Sequence, residues 1–172
     1  MRLFIALLFP DEVKDALLDA AEDLRRNTER GVFSRRENFH LTLAFLGEQR
    51  DPKPAGRAME AAVGAPFSLR LDRPGRFRRD GGDIWWVGLK DSPPLTALHR
   101  RLSEALAREG FEVENRPFRP HVTLGRQVVL TDPGFRPSVP PLAIPARELC
   151  LMRSDRVSGV LTYTCICKAE MK

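Results

Sequence analysis

Two short stretches of this chain hold residue types suited to proton transfer, and they are nearly copies of one another. Asn38 to Phe45 reads Asn-Phe-His-Leu-Thr-Leu-Ala-Phe, and Arg119 to Arg126 reads Arg-Pro-His-Val-Thr-Leu-Gly-Arg. The chain has three His and seven Thr in 172 residues. A His-x-Thr pair is then expected by chance roughly 0.1 times. It occurs twice, with Leu following each Thr. A lone copy is ordinarily a half-exposed pair with no task; the second copy reverses that reading.

Apolar and β-branched residues alternate with polar ones in both stretches, which predicts strands. Positions i and i+2 of a strand share a face, about 7 Å apart. His40, Thr42 and Ala44 are therefore expected on one face, with Leu41, Leu43 and Phe45 in the core. In the second stretch His121, Thr123 and Gly125 share a face, and Val122 and Leu124 point inward. An imidazole gives or takes a proton near neutral pH, and a hydroxyl donates to a phosphate oxygen. Two such strands facing one cleft would supply an acid, a base and two phosphate-oxygen donors, a full set for phosphoester chemistry without a metal. Neither motif contains Asp or Glu, the usual ligands in metal-assisted phosphoryl chemistry.

The elements that must carry these pairs also repeat. His40 and His121 are 81 residues apart, and the same offset brings the apolar run Leu3 to Leu8 onto Ile84 to Leu89. It also brings a helical segment beginning near Asp11 onto one beginning near Ser92. Each half reads strand, helix, connector, His-x-Thr strand. The pattern predicts one domain over residues 1–172 with an internal duplication, two lobes related by an approximate two-fold, and the motifs meeting at the axis.

In chain order, Leu3 to Phe9 is a buried strand, and Asp11 caps a helix with apolar positions Val13, Ala16, Leu17, Ala20 and Leu24 that ends at Gly31. Residues 51–64 are loop then helix, and Phe67 to Leu71 is a strand. Arg73 to Asp83 is a Gly- and Arg-rich turn. Of Trp85 and Trp86, core packing is the assignment for both, although one could line the cleft. A helix opens at Ser92-Pro93 and closes at Gly110, with His99 beside its apolar stripe in a packing role. Residues 131–145 are Pro-rich loop, and Leu149 to Arg153 and Val160 to Cys167 are closing strands. Tyr163 is assigned to the core, and Cys165 and Cys167 to one face.

A hydrophobic content of 42% and charged content of 30% suit a globular domain, and no apolar run reaches the 18 residues of a membrane span. Three Cys without a Cys-x-x-Cys read as reduced thiols, which together with the N-terminal sequence predicts a cytoplasmic protein. The formal charge of +5, with arginines near both motifs, fits an anionic partner such as nucleic acid.

The paired motifs resemble those of the two-histidine phosphoesterases. Arg-Leu-Phe-Ile-Ala from Arg2, Glu-Asn-Phe-His-Leu-Thr-Leu-Ala-Phe-Leu-Gly from Glu37 and Arg-Pro-Phe-Arg-Pro-His-Val-Thr-Leu-Gly-Arg from Arg116 are similar to the bacterial RNA 2′,3′-cyclic phosphodiesterase (LigT/ThpR-like) family. The resemblance implies a bilobed α+β fold, two antiparallel sheets around a central cleft with helices outside. It implies hydrolysis of RNA 2′,3′-cyclic phosphate ends, or of cyclic nucleotides, to 2′-phosphates, without cofactor or metal. His40, Thr42, His121 and Thr123 become the expected catalytic four, with His121 as base and His40 as acid, though the symmetry of the motifs leaves that order open. Arg126, Arg119 and Arg36 become expected substrate contacts. Strict alternation puts Arg126 on the face opposite His121, so a bulge is needed to bring it in. Ligation of a 2′,5′ linkage at the same site, or RNA binding without catalysis, are the alternatives. The protein is expected to act as a monomer.

Overall fold

The computed structural model describes residues 1–172. The strands are β1 (Arg2–Leu7), β2 (Thr28–Phe33), β3 (Leu41–Glu48), β4 (Phe67–Phe77), β5 (Asp83–Leu89), β6 (His121–Leu130), β7 (Ala143–Ala146), β8 (Glu148–Val157) and β9 (Val160–Glu170). The helices are α1 (Asp11–Arg26), α2 (Lys53–Ala62) and α3 (Pro93–Arg108), with a 3₁₀ turn at Arg36–Asn38. The strands form a four-stranded sheet, ordered β3-β1-β8-β9, and a five-stranded sheet, ordered β2-β6-β5-β4-β7. Every pairing is antiparallel.

Each sheet holds one His-x-Thr strand beside the strand that opens its half of the repeat: β3 beside β1, and β6 beside β5. The third strands, β4 and β8, begin 81 residues apart at Phe67 and Glu148. The helices α1 and α3 are both 16 residues long. The N-terminus of α3 is capped by the Ser92 hydroxyl, which accepts from the Leu95 N–H at 3.2 Å. The N-terminus of α1 has no side-chain cap; Asp11 is its first helical residue and Pro10 stands at the cap position.

One hydrophobic core runs through the molecule, built from Leu3, Ile5 and Leu7 of β1, Leu71 of β4, Trp85 and Val87 of β5, Val122 and Leu124 of β6, and the apolar stripes of the three helices. A smaller cluster of Phe4, Ala6, Cys150 and Met152 lies on the other face of the four-stranded sheet, with Leu8, Tyr163 and Cys165 packed on it. That second face is one wall of the cleft.

The two motif strands share an irregularity. Along β1 and β3, Ile5 pairs with Ala44 and Ala6 with Thr42, leaving Leu43 as an extra residue. Along β5 and β6, Trp85 pairs with Gly125 and Trp86 with Thr123, leaving Leu124 extra. These are β-bulges at matching positions of the repeat. Both residues of each bulge turn inward: Leu43 with Ala44, which packs on the core, and Leu124 with Gly125, which is buried. Alternation therefore changes phase. Ala44 and Gly125 leave the face assigned to them from sequence, and Phe45, expected in the core, is 65% exposed. A third bulge leaves Ile166 extra in β9, so Cys165 joins the cleft-side cluster while Cys167 packs on the main core, not on one face as expected.

Other boundaries moved because edge strands carry weak apolar patterns. The first helix stops at Arg26, and Gly31 lies inside β2. The Arg-rich segment after Leu71 continues β4 to Phe77 as one arm of a hairpin, and Ala143–Ala146 of the Pro-rich segment pairs with β4.

A Cβ on Gly125 would lie 2.9 Å from the Phe33 ring and 3.2 Å from Val128 Cγ2. Gly125→Val should therefore overpack the bulge and lower stability by about 1–3 kcal/mol, read as a lower urea midpoint with unchanged slope.

Candidate active site

The structure brings His40 and His121 to facing walls of the cleft. His40 immediately precedes β3, and His121 is the first residue of β6. Both rings are held in the same way. His40 Nδ1 lies 2.7 Å from the Asn38 carbonyl oxygen, and His121 Nδ1 lies 2.7 Å from the Arg119 carbonyl oxygen. A carbonyl only accepts, so Nδ1 carries the proton and donates, which leaves Nε2 as the nitrogen available for chemistry. The intervening residue sets the backbone that makes this possible. It is Pro120 in the second motif, whose ring fixes φ near −65°. In the first it is Phe39, fully buried, with φ −64° and ψ 128°.

The two histidines differ at Nε2. His40 Nε2 is 2.8 Å from Thr42 Oγ1, while His121 Nε2 has no protein partner. Aromatic rings shape both pockets. His40 lies 4.9 Å from the Phe4 ring and edge-on to Tyr163 at 5.3 Å. His121 lies edge-on to Phe77 at 5.1 Å, with Trp86 at 6.2 Å. Trp86 sits there because β4 offers Gly75 opposite it, where any Cβ would lie 2.3 Å from the indole. Trp85 fills the core. Tyr163 and Trp86, both assigned to the core from sequence, thus line the cleft. Strand parity counted without the bulges and register shifts could not find them.

Burial lowers the pKa of His40 below its ordinary 6.5; the Asn38 carbonyl opposes this, and the positive charges of Arg126 and His121 add to it. Burial also lowers His121, with Arg119 O opposing and Arg126 adding. Tyr163 is pushed up by burial, and Arg126 and Arg2 moderate the rise. Arg126 therefore bears on His40, His121 and Tyr163 together. The bulge at Leu124 returns it to the side of His121 and Thr123, the rearrangement that strict alternation required.

The other arginines fare differently. Arg119 contributes its carbonyl to His121 and leaves its side chain exposed. Arg36 is turned to α1, with Nε 2.7 Å from Asp15 Oδ1 and a second nitrogen 3.2 Å from Asp11 Oδ1. Two carboxylates engage its guanidinium, which is turned toward α1. His99 stacks flat on Phe118 at 3.9 Å, in the packing role expected of it.

Two antiparallel sheets around a cleft, each bearing a His-x-Thr strand, define the two-histidine phosphoesterase fold. The sequence model of the 2′-5′ RNA ligase superfamily matches residues 9–158, and the chain belongs to that superfamily. Among relatives, the RNA 2′,3′-cyclic phosphodiesterase of Escherichia coli is 35% identical over 171 residues, covering 95% of this chain and 92% of its own length. That of Thermotoga maritima is 31% identical over 169 residues, 95% of this chain and 89% of its own. A relative of the same name from Geobacillus stearothermophilus is 36% identical over 129 residues, 72% of this chain but 41% of its own length. The structure of TT0787 from Thermus thermophilus matches with a TM-score of 0.84 at 28% identity, over 99% of this chain and 98% of that one. The structure of E. coli LigT complexed with 3′-AMP matches with a TM-score of 0.81 at 28% identity, over 99% and 97%.

Because Arg126 depresses both imidazoles, Arg126→Gln should raise both titration midpoints, checked by histidine Cε1–H shifts in NMR. Histidines with depressed native pKa values bind more protons when unfolded, so stability should be full above about pH 6.5 and fall as pH drops through that value. Urea midpoints measured from pH 8 to pH 5 test the sign.

Proposed function

We propose that the protein hydrolyses RNA 2′,3′-cyclic phosphate ends to 2′-phosphates by paired histidine acid–base catalysis, without a metal. The observation that carries this reading is the pair of Nδ1-anchored imidazoles facing one cleft, each followed by its threonine, in a chain whose relatives are RNA 2′,3′-cyclic phosphodiesterases.

A 2′,3′-cyclic phosphate exists only where a ribose 2′-hydroxyl stood, so the substrate is RNA-derived. His121, with Nε2 unengaged, takes a proton from water as the oxygen attacks phosphorus. The P–O3′ bond breaks, and His40 in its protonated form gives its Nε2 proton to the departing 3′-oxygen. The phosphate stays on O2′. The contact of His40 with Thr42 suits this assignment. A neutral His40 accepts the Thr42 hydroxyl proton at Nε2; once protonated it no longer can, and the hydroxyl is released to donate to a non-bridging phosphate oxygen. Thr123, whose hydroxyl is not engaged by His121, donates to a phosphate oxygen from the other wall. Arg126 supplies positive charge where negative charge builds on phosphorus oxygens. In return, a bound phosphate offsets the depression of His40 and favours the acid form that catalysis needs.

Each proton transfer contributes about 10²–10⁴-fold. His40→Ala and His121→Ala should each lower kcat on a 2′,3′-cyclic nucleotide by that factor while the folded circular dichroism spectrum persists. Retention of most activity by either variant would end this mechanism. In EDTA, a short RNA with a 2′,3′-cyclic end should be opened at the wild-type rate, with the product phosphate on the 2′-oxygen. A loss restored by a divalent ion, or a 3′-phosphate product, would contradict the scheme. The same four side chains could also serve a 5′-hydroxyl in place of water: its oxygen attacks phosphorus, the P–O3′ bond breaks as before, and a 2′,5′ linkage results, in keeping with the superfamily's description. Product analysis with two RNA ends present separates the two nucleophiles.

A further inference from the structure

A groove leads away from the catalytic pair that the proposed reaction on a cyclic phosphate does not itself require. It has a volume of about 380 Å³ and runs from Arg126 and Gln127 past Val32 and Ile84 to Arg79 and Asp80 at the tip of the β4–β5 hairpin. Its walls combine apolar surface with charge: Val32 is 63% exposed, on the edge strand β2.

Two backbone features put the hairpin tip there. Gln127 has φ 54°, in the left-handed region, so the chain bends just after Arg126. Gly82, at φ 130°, lies against the Gln127 backbone so closely that a Cβ would fall 2.4 Å from its carbonyl carbon. Only glycine allows both that conformation and that approach. Arg79 is held from the other side, its guanidinium 5.6 Å from the Phe77 ring, which itself lies edge-on to His121.

Arg76, outside the groove, is paired with Asp83 at 3.4 Å. The Arg79 side chain makes its hydrogen bond to the Arg78 carbonyl at 2.8 Å, not to a carboxylate. Asp80 is the single acidic group lining the groove, against Arg79 and Arg126. An anion is the ligand such a lining selects.

We propose that this groove binds the internal phosphodiester and nucleoside on the 5′ side of an RNA 2′,3′-cyclic end, with Arg79 as the phosphate contact. The inference rests on the function proposed above and extends it to the substrate class: oligonucleotide ends in preference to cyclic mononucleotides. Reach supports it. The first internal phosphate leaves from the ribose that bears the cyclic phosphate, so it lies within one sugar's span of the histidines. Arg126 borders both the histidines and the groove, so the groove begins within that span. A second depression of about 330 Å³, lined by Arg73, Lys90, Pro74 and Ser138 among others, shares no lining residue with the catalytic site.

The test compares a cyclic-ended tetranucleotide with a 2′,3′-cyclic mononucleotide on wild type, Arg79→Gln and Lys90→Gln. Wild type should favour the tetranucleotide in kcat/KM. Arg79→Gln should lower that value about fivefold through KM, as befits an exposed charge pair, while mononucleotide turnover stays within twofold. Its log–log salt dependence on the tetranucleotide should flatten by about 0.7, one phosphate contact on a single strand. Lys90→Gln should change neither substrate. An equal fall on both substrates, no change on either, or sensitivity at Lys90 in place of Arg79 would overturn the groove assignment while leaving the reaction intact. Failure of wild type to open either substrate would instead refute the reaction.

Discussion

The site depends on a hydrogen bond made twice: an imidazole N–H given to the backbone carbonyl two residues upstream. It settles three matters at once, namely which nitrogen is protonated, which way the ring faces, and which nitrogen meets the cleft. The distance is 2.7 Å in both copies. The residue in the middle has no chemistry of its own, yet it must be extended with φ near −65°. The chain meets that demand by a covalent ring at Pro120 and by core packing at Phe39, whose side chain is 1% exposed. Two unlike residues at equivalent places in the repeat thus serve one backbone geometry.

Around that anchor the electrostatics are balanced and not extreme. Burial and Arg126 press both imidazoles toward neutrality, while the carbonyls at Nδ1 pull the other way. A base benefits from this state directly. An acid does not, until an anion enters and cancels the arginine's influence. Because Arg126 bears on both rings, an anion bound beside it would shift the pair together, and the proposed acid and base differ at Nε2, engaged on His40 and open on His121.

Much of this was legible in the sequence, because residue type and spacing define the His-x-Thr strands, and the 81-residue offset is visible in apolar runs and helix starts. Two lobes meeting at the motifs follow from that pattern; two sheets with outer helices around a cleft are what the family resemblance implies. Facing directions beyond the threonines were not legible. Period-2 counting assumes unbroken pairing, and an extra residue such as Leu43, Leu124 or Ile166 is set by the partner strand, not by the local sequence. Phe45, Arg126 and Cys167 consequently sit opposite to their counted sides, and Tyr163, on the same strand as Ile166, lines the cleft. Arg36 illustrates a different limit: nearness in sequence to a motif says nothing about whether Asp11 and Asp15 will claim a side chain first. The short edge strand β7 and the polar β2 carry too little apolar pattern to announce themselves.

The order of strands in the smaller sheet has a consequence for biosynthesis. Arg2 stands opposite Ser154 and Phe4 opposite Met152, so β1 has as one neighbour a strand translated about 150 residues later. The other lobe draws its five strands from Thr28 through Ala146 and can close earlier. Until the final hairpin emerges, β1 has an unsatisfied edge and the His40 wall lacks Tyr163. Contacts of such long sequence separation are slow to form. Closure of the His40 wall therefore waits on pairings of long sequence separation, while the strands behind His121 are all in hand by Ala146.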